Sequence, residues 1–338
     1  MTFPDDYTVL REGVIIGAIA ERRQIAVRGP DRASFLQGFL TNDIPALTAG
    51  RGCYAAWLTP QGRMLTDLHV LESGDMLLLD VPVADAEQTA ERLEQFHFTE
   101  DVQIASLAGS LRPVWLHGPT APQMLKSLAA RKGPPNGDGD AEGHGDFAEW
   151  TNYQNARAEI AQAPVVIARI DQLGVPGYVI YVDILQEAAL TTTLASAGAV
   201  PATPHTLEAA RIEAGYPVFG IDMSTDTIPL EAAIEDRAIS LTKGCYVGQE
   251  VIIRVLHRGH GRVARKLVGL RVEGDVPPRR SKIFTGDREI GFVTSAAQSP
   301  RFGSIALGYV HRDFIEPGTV VEVDAARARA VVTPRSTS

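Results

Sequence analysis

Along the first third of the chain, apolar and polar residues alternate in short stretches of the kind that a β-meander produces. Residues 54–59, 64–71 and 76–81 are three such stretches, and turn sequences with Gly, Pro, Ser and Asp separate them. This pattern predicts three strands joined by tight turns. Residues 85–96 instead carry apolar side chains at helical spacing, which predicts an amphipathic helix. Hairpins mixed with helices favour an α+β fold with mostly antiparallel sheets.

Two stretches of the chain, 25–36 and 114–125, share an internal pattern. Each has alternating strand residues, a Gly-Pro pair and an apolar pair at matching distance. The pattern predicts a strand, a turn and a helix, with Asp31 and Thr120 as the residues that cap the two helices. Two copies of this unit indicate a repeated β-turn-α element that lays a helix on a sheet.

Farther along the chain, the same two periodicities predict strands at 165–170 and 178–184 and helices at 187–197 and 206–214. The second of these helices is expected to end at Gly215, because glycine readily adopts the left-handed conformation that follows a helix.

The pattern changes near residue 264. Beyond it, short apolar stretches separated by Gly and Pro turns predict a small β-barrel or sandwich. Residues 132–145 are rich in Gly, Pro and Asp and lack large apolar side chains, so a mobile surface insertion is expected there. The predicted organisation is a body of two interleaved α+β subdomains over residues 1–263, followed by a barrel over 264–334.

Composition narrows the possible functions. The 338 residues, 45% of them hydrophobic and 22% charged, are typical of a globular protein of two or three domains. A net charge of −9 argues against a general nucleic-acid binder. The two cysteines cannot form a disulfide framework, and the N-terminus lacks the pattern of a signal peptide. We therefore expect a cytoplasmic protein that has no contact with a membrane.

The most informative run of residues begins at Lys243 and reads Lys-Gly-Cys-Tyr-Val-Gly-Gln-Glu. A helix or steep turn is predicted to open at 246–248. Cys245 would then face unpaired backbone N–H groups and the positive end of the helix dipole, and Lys243 would add positive charge, all of which favour a reactive thiolate. The alternative is a small buried apolar residue at a tight corner, the commoner role of a free cysteine. Its glycine and polar neighbours favour the reactive thiol.

Three further positions stand out. Asp67 lies in the middle of a predicted strand, an unfavourable place for aspartate, so it is either a surface partner of a neighbouring strand or a carboxylate directed into a pocket. Asn42 lies in a Thr-Asn-Asp sequence typical of a turn. The basic run 254–266 is a solvated face, a nucleic-acid surface or a clamp for an anionic ligand, and the solvated face is the commoner of the first two.

Several common kinds of site lack their motifs. The two histidines within 257–260 have no Cys or His partner at zinc-site spacing, so no metal site is predicted. There is also no Gly-rich phosphate loop after a strand and no Gly-x-Ser-x-Gly sequence, which disfavours nucleotide-binding and hydrolase functions.

These segments together resemble the glycine-cleavage T-protein superfamily, and specifically its YgfZ-type folate-binding branch. The run 243–250, with Arg254 and the Arg258-Gly259 pair, matches the YgfZ signature almost residue for residue. The other similar segments are 35–43, 61–67, 207–217 and 229–231 in the folate-binding body and 291–295 in the barrel. The resemblance covers nearly the whole chain apart from residues 132–145.

This resemblance implies a three-part ring of domains around tetrahydrofolate or a one-carbon derivative of it. In the T-protein branch an aspartate in the second strand region is the important acid, and Asp67 occupies the matching position. The residues that the resemblance assigns to folate binding are Asp67, Arg211, Asn42, Tyr54, Arg254 and Arg258. Those assigned to the chemistry are Cys245, Lys243 and Asp67.

One departure bears on the choice between the branches. T-proteins carry a Gly-Glu-Asp-Gly turn whose glutamate pairs with the donor edge of the pterin, whereas residues 173–178 contain no acid. Losing such a buried, charge-assisted pair costs about 1.5–3 kcal/mol. This departure disfavours classical aminomethyl transfer.

Three functional expectations follow. The first is a tetrahydrofolate-binding accessory protein in iron–sulfur cluster assembly or repair, with Cys245 as the reactive thiol and with indirect effects on tRNA modification. It would be a monomer whose partners are folate and iron–sulfur enzymes or assembly proteins, without direct nucleic-acid contact. The second is a folate-dependent aminomethyltransferase or related one-carbon enzyme, in which Asp67 is the acid and Cys245 is structural. The third is a non-catalytic scaffold that uses its folate pocket as a sensor.

Overall fold

Antiparallel strands build most of the protein, which a computed structural model describes over residues 3–131, 146–258, 262–324 and 326–334. The helices within these ranges are α1 (Phe3–Glu12), α2 (Arg32–Gln37), α3 (Ala86–Gln95), α4 (Ala121–Leu128), α5 (Glu187–Ser196), α6 (Pro204–Glu213), α7 (Glu235–Ala238) and α8 (Gln249–Ile253). None of these helices is long and apolar enough to cross a membrane.

The strands of the same ranges form two open sheets and one barrel. They are β1 (Ile15–Ile16), β2 (Arg22–Arg28), β3 (Arg51–Leu58), β4 (Met64–Glu72), β5 (Met76–Pro82), β6 (Gln103–Ser106), β7 (Leu111–His117), β8 (Ala130–Arg131), β9 (Asn155–Ile160), β10 (Ala163–Arg169), β11 (Gly177–Asp183), β12 (Val200–Pro201), β13 (Arg265–Val272), β14 (Lys282–Thr285), β15 (Arg288–Ser299), β16 (Gly303–His311), β17 (Val320–Val323) and β18 (Ala328–Thr333).

The first sheet is antiparallel and has the order β3-β4-β5-β2-β6. The predicted meander and the helix that follows it are confirmed as β3, β4, β5 and α3. One face of this sheet is apolar, and Phe35 and Leu36 of α2 and Leu93 of α3 pack on it. Burying these side chains, at about 25 cal/mol for each Å² of apolar surface, fixes the two helices on that face.

The second sheet has the order β12-β1-β7-β11-β10-β9-β8, and α4 and α5 pack on one of its faces. The predicted repeat is present as β2 with α2 and as β7 with α4. The predicted caps are wrong, because neither the Asp31 nor the Thr120 side chain accepts an N–H of its helix. Both residues have ψ near zero instead of the extended backbone that an N-cap usually needs. The Asp31 carboxylate accepts the amide of Asp101 instead.

The two sheets meet through a second apolar layer. Leu71 and Leu78 of the first sheet pack there against Trp115, Val179 and Tyr181 of the second sheet. The first sheet is thus covered on both faces. Side chains that project from its second face near the edge of this apolar layer lie between the two sheets.

A closed barrel with the order β13-β16-β15-β14-β17-β18 follows the sheets, so the α+β fold with its terminal barrel is confirmed. Ile212 of α6 packs against Leu267, Ile305 and Leu307 of the barrel. The sequence pattern missed β18, whose Ala-Arg-Ala beginning has little strand propensity. The expected division at 263–264 stays a prediction, and the predicted mobile insertion 132–145 lies outside the described residues.

Candidate functional site

Polar residues occupy part of the face of the first sheet that points toward the second sheet. Alternation along the strands places Arg22 and Gln24 of β2, Asp67 and His69 of β4 and Asp80 of β5 on this face. The strand register pairs Asp80 with Gln24 on one side and with His69 on the other. All five side chains are buried, so each needs a partner inside the protein.

Arg22 joins the two carboxylates. Its Nη1 lies 3.0 Å from Asp67 Oδ1 and its Nε lies 2.8 Å from Asp80 Oδ2. Burial opposes a charged guanidinium, but Asp67 and Asp80 overcome it and raise the pKa of Arg22 above its usual value. Burial also opposes a charged carboxylate and by itself would raise the pKa of Asp80, yet Arg22 and His69 hold this pKa below its usual value. Arg22 and Asp80 are therefore ionised at neutral pH.

His69 lies between Asp80 and Tyr216. Its Nδ1 is 2.9 Å from Asp80 Oδ2, and its Nε2 is 3.4 Å from the Tyr216 hydroxyl oxygen. Burial and the nearby Arg22 lower the pKa of His69, so the ring is neutral at pH 7. Because an ionised carboxylate only accepts hydrogen bonds, we assign the proton to Nδ1, which leaves Nε2 as an acceptor.

Tyr54 of β3 completes the coordination of Asp67. Its hydroxyl donates to Asp67 Oδ2 over 2.6 Å. Burial and the neighbouring Asp67 raise the pKa of Tyr54 well above its usual value, which keeps the phenol protonated as a donor. Each oxygen of Asp67 thus receives one donor and keeps a further lone pair for a ligand. Arg22, Tyr54, Asp67, His69 and Asp80 are called the Asp67 network below.

A small cavity adjoins the Asp67 network. It has a volume of about 10 Å³, and its lining residues are Ile19, Ala20, Arg22, Asp67, Trp115, Gln172, Tyr216, Pro217 and Val218. This volume holds roughly one water molecule. Trp115 Nε1 and Gln172 Oε1 are buried there without hydrogen-bond partners. The residues of the wall therefore include one donor and one acceptor that the described residues leave unpaired.

Arg237 of α7 lies beside Tyr54 and Tyr216. Its guanidinium carbon is 4.7 Å from the Tyr54 ring centre and 4.3 Å from the Tyr216 ring centre. The amide of Asn42 fixes this corner by donating to the backbone carbonyls of Tyr54 and Arg237. Asn42 thus shapes the site through the backbone, because both of its amide hydrogens point to carbonyl oxygens.

Arg211 of α6 is placed differently from its expected role. It is fully buried, and its side-chain donors are used by Glu208, Asp222, Ser295 and the carbonyl of Tyr216. In this geometry Arg211 has no donor left for a folate. It supports the site instead by holding the backbone of Tyr216.

The ammonium group of Lys243 binds backbone carbonyls and not the thiol that it was expected to activate. Its ammonium group donates to the backbone carbonyls of Gln37, Leu40 and Asn42 over 2.7, 2.5 and 3.0 Å. Burial lowers the pKa of Lys243 to about 8. Because all three donors are used, Lys243 fastens residues 240–248, called the Cys245 segment below, to the turn after α2.

The Cys245 thiol is free and exposed, which contradicts the alternative of a buried corner residue. The predicted helix begins later than expected, at Gln249, and α8 has only five residues. Gly248 precedes it at φ 85°, a conformation that favours glycine. A Cβ atom at Gly248 would also approach the Thr59 carbonyl oxygen to 2.5 Å. Cys245 therefore lies outside the helix start, and the helix dipole does not act on it as predicted.

Arg254, which follows α8, is not among the residues that line the cavity. Arg254 forms an exposed pair with Glu250, one helical turn earlier. The side chain of Arg258 lies outside the described part of the chain. Within the described ranges, no group of three or more His, Cys, Asp or Glu side chains could hold a metal ion.

The sequence-based prediction missed seven residues of this candidate site: Arg22, His69, Asp80, Trp115, Gln172, Tyr216 and Arg237. Asp80 carries the same signal that drew attention to Asp67, since it interrupts an apolar strand. His69 follows Asp67 at a spacing of two and so shares its face of the strand. Arg237 offers no such signal, because α7 has only four residues and its partners are far away in the sequence.

A wider cleft of about 400 Å³ lies between the end of α6 and the barrel. Its walls are mainly apolar, and the carboxylate of Glu213 within it is already bound by Tyr7 and Arg11. In the described part of the chain, none of the buried side-chain atoms that lack a hydrogen-bond partner belongs to a residue lining this cleft. The smaller cavity is therefore the better candidate for recognition of a polar ligand.

Comparison with known proteins identifies the family of the chain. Residues 2–243 match the GCVT N-terminal domain family, and residues 265–337 match the glycine cleavage T-protein C-terminal barrel domain. The chain is 28% identical over 341 residues to an aminomethyltransferase of Geobacillus sp. (strain WCH70), covering 98% of this chain and 89% of that protein. It is 27% identical to the aminomethyltransferase of Bacillus subtilis (strain 168), with 97% and 89% covered.

The fold has a close counterpart among solved structures. The glycine cleavage system aminomethyltransferase T from Bartonella henselae superposes with a TM-score of 0.82 at 24% identity, covering 99% of this chain and 89% of that one. These relatives support the superfamily and not the narrower YgfZ-type assignment, and they carry no support for iron–sulfur or tRNA chemistry. Because a family model matches well over half of its residues, the chain belongs to the glycine cleavage T-protein family.

Proposed function

We propose that the protein binds a reduced folate at the cavity beside Asp67 and takes part in one-carbon chemistry of the aminomethyltransferase type. The observation that carries this proposal is the pair of unpaired polar atoms, Trp115 Nε1 and Gln172 Oε1, in the wall next to a buried carboxylate. A pterin ring has acceptor nitrogens and N–H donors on its edges, so it suits such a wall. Membership of the T-protein family supports the same ligand.

The bound folate would supply a ring amine that carries the one-carbon unit. Asp67 would accept a hydrogen bond or a proton from the ligand through its remaining lone pairs, while Arg22 and Tyr54 keep the carboxylate in place. Gln172 would accept from the donor edge of the pterin. A neutral amide presents one acceptor oxygen where a carboxylate presents two, so we expect weaker folate binding than a glutamate would give.

Folate binding would require the site to open. The cavity has a volume of about 10 Å³, far less than a ligand pocket of several hundred Å³. Tyr216 is the side chain that can move at least cost, because its hydroxyl is 3.4 Å from both His69 Nε2 and Gln172 Nε2. Hydrogen bonds of that length are weak. Since Trp115 lines the cavity, its fluorescence should change when a folate enters.

The test is titration of tetrahydrofolate into the wild type and into Asp67→Asn, an isosteric change that removes the charge. We expect binding by the wild type, and turnover of an aminomethylated lipoyl carrier that falls by about 100-fold or more in Asp67→Asn, as for loss of a general acid–base group. Cys245→Ser is the matched control and should keep both activities. No binding by the wild type at millimolar folate, or full turnover by Asp67→Asn, would refute the proposal.

A second candidate function, the YgfZ-type accessory role in iron–sulfur cluster assembly, is favoured by one observation. The Cys245 thiol is exposed on a segment that Lys243 fastens to the body, so a partner protein can approach it. Cells that lack this protein should regain activity of a tRNA-modifying iron–sulfur enzyme with the wild type and with Cys53→Ser, but not with Cys245→Ser. Full rescue by Cys245→Ser would remove this candidate.

A further inference from the structure

The guanidinium of Arg237 has a buried donor that no group of the Asp67 network accepts. Both oxygens of Asp67 are engaged by Arg22 and Tyr54, and Asp80 is engaged by Arg22. Arg237 Nη2 is buried and has no hydrogen-bond partner. Buried guanidinium donors are normally paired, because burying one without an acceptor is unfavourable. The unpaired donor therefore calls for an explanation other than stability.

The surroundings of Arg237 hold its guanidinium in a defined plane. The rings of Tyr54 and Tyr216 lie within 5 Å of its central carbon. Aromatic faces attract the cation through its flat face. They leave its N–H edge available, and that edge is the part of arginine that binds a carboxylate through two parallel hydrogen bonds.

Arg237 is also next to the proposed ligand site. Tyr216 lines the cavity on one side and contacts Arg237 on the other. The backbone of Tyr216 is held by Arg211, and the carbonyl of Arg237 is held by Asn42. Movement of the Tyr216 side chain, which folate entry requires, would therefore uncover the guanidinium while the backbone around it stays fixed.

We propose that Arg237 is the anion-recognising residue of this site and that its guanidinium edge binds a carboxylate of the ligand between Tyr54 and Tyr216. As regards folate, this inference rests on the proposed function, since a folate carries carboxylates on its glutamate tail. A small amino acid that donates the one-carbon unit is the other source of a carboxylate. If Arg237 served the fold alone, its replacement would not distinguish ligands that have a carboxylate from ligands that lack one.

The first experiment measures dissociation constants for tetrahydrofolate, 6-methyltetrahydropterin, 4-aminobenzoylglutamate and sarcosine with the wild type and Arg237→Gln. We expect Arg237→Gln to weaken the ligand whose carboxylate it binds by about 10- to 100-fold, the effect of one charge-assisted hydrogen bond. Binding of 6-methyltetrahydropterin, which has no carboxylate, should change by less than about threefold. Arg329→Gln, at an exposed arginine paired with Glu273 in the barrel, is the control and should leave all four constants unchanged.

The ligand that is weakened identifies the source of the carboxylate. A loss confined to tetrahydrofolate and 4-aminobenzoylglutamate assigns Arg237 to the folate tail, and a loss confined to sarcosine assigns it to the amino acid. An equal loss for the tail-free pterin, or no loss for any carboxylate ligand, would overturn the inference. If no carboxylate ligand were weakened, folate binding by the wild type would still hold, so the proposed function would survive without this inference.

A second experiment needs no folate. Sodium acetate, compared with sodium chloride at equal ionic strength, should raise the melting temperature of the wild type and have no such effect on Arg237→Met. In the absence of acetate, Arg237→Met should melt below the wild type, because Asp67 and Asp80 then face only Arg22 and the rings of Tyr54 and Tyr216 lose their cation. An acetate effect of equal size in the wild type and in Arg237→Met would refute the inference. If the wild type binds no folate but shows the acetate effect through Arg237, the proposed function fails and the anion site remains.

Discussion

The Asp67 network and the Cys245 segment are the two chemically distinctive regions of this protein, and they are held in opposite ways. In the Asp67 network, strand alternation brings charged side chains together in the interior, where each one orients another. In the Cys245 segment, the buried Lys243 holds the chain and the thiol itself is exposed. Buried charges that fix one another suit a preorganised ligand site, whereas an exposed thiol on a fastened segment suits contact with another molecule.

This contrast shows why the two functional candidates can be separated by experiment. The folate chemistry requires the Asp67 network and assigns no role to Cys245. The accessory role requires Cys245 to be exposed and makes the Asp67 network a binding site only. Changes in one region should therefore have little effect on the other, except through Asn42, which contacts Tyr54 of the first and Lys243 of the second.

Arg22→Met should have the largest effect on stability. It would leave the buried carboxylates of Asp67 and Asp80 without their counter-charge, and removing one partner of such an arrangement costs about 3–5 kcal/mol. Urea unfolding measures the free energy of unfolding directly. An exposed ion pair in the barrel offers the matched control, since Arg329→Met should cost less than about 1 kcal/mol. If Arg22→Met cost no more than the control, the view of the network as a buried unit would be wrong.

Lys243→Met should have the next largest effect and should act on the Cys245 segment. Three carbonyl oxygens would lose their donor, with an expected cost of about 1–3 kcal/mol. Hydrogen exchange should also become faster at the amide of Val247, which donates to the Gly38 carbonyl. Folate affinity should fall by less than about threefold if the two regions are separate. A larger loss would show that Lys243, through Asn42, is part of the folate site.

The pH dependence of stability tests whether His69 and His117 are buried as neutral rings. Burial lowers the pKa of both, that of His117 to about 4, below the ordinary value of 6.5. Below pH 6.5 the unfolded chain therefore binds protons that the folded chain refuses, and stability falls as the pH falls from 6.5 toward 4. Each histidine contributes a slope of at most about 1.4 kcal/mol per pH unit. His69→Gln should reduce this slope, whereas His97→Gln, at a partly exposed ring, should not.

Replacement of the exposed cysteine should have the smallest effect on stability. Thiol labelling is the simplest way to distinguish the two regions. Burial raises the pKa of Cys53 to about 12, while Cys245 is exposed. Native protein should therefore react with one equivalent of a maleimide within minutes and with a second only after unfolding. Cys245→Ser should abolish the fast reaction and cost less than about 0.5 kcal/mol, as is usual at the surface. Rapid labelling of two thiols in the native wild type would contradict this placement.

Much of the fold could be predicted because it depends on local periodicity. Strand alternation predicted β3, β4 and β5 within a few residues, and the glycine after α6 does adopt a positive φ of 67° at Gly215. The caps at Asp31 and Thr120 could not be predicted from residue type, because the backbone angles there depend on how each helix leaves its strand. The site was predicted only in part for a similar reason. Asp67 is unusual within its own strand, but Arg237 is unusual only beside Tyr54 and Tyr216.

The sequence by itself determined which faces of the strands are apolar, where the chain turns and that Asp67 and Cys245 are exceptional. Alternation and turn chemistry are properties of a few neighbouring residues, so they can be read without knowledge of the fold. Only the tertiary structure decided that Arg22 binds Asp67, which lies 45 positions later in the chain. It also decided that Lys243 donates to backbone carbonyls within residues 37–42 and not to Cys245. These contacts depend on strand register and on the packing of distant segments, which no local pattern specifies.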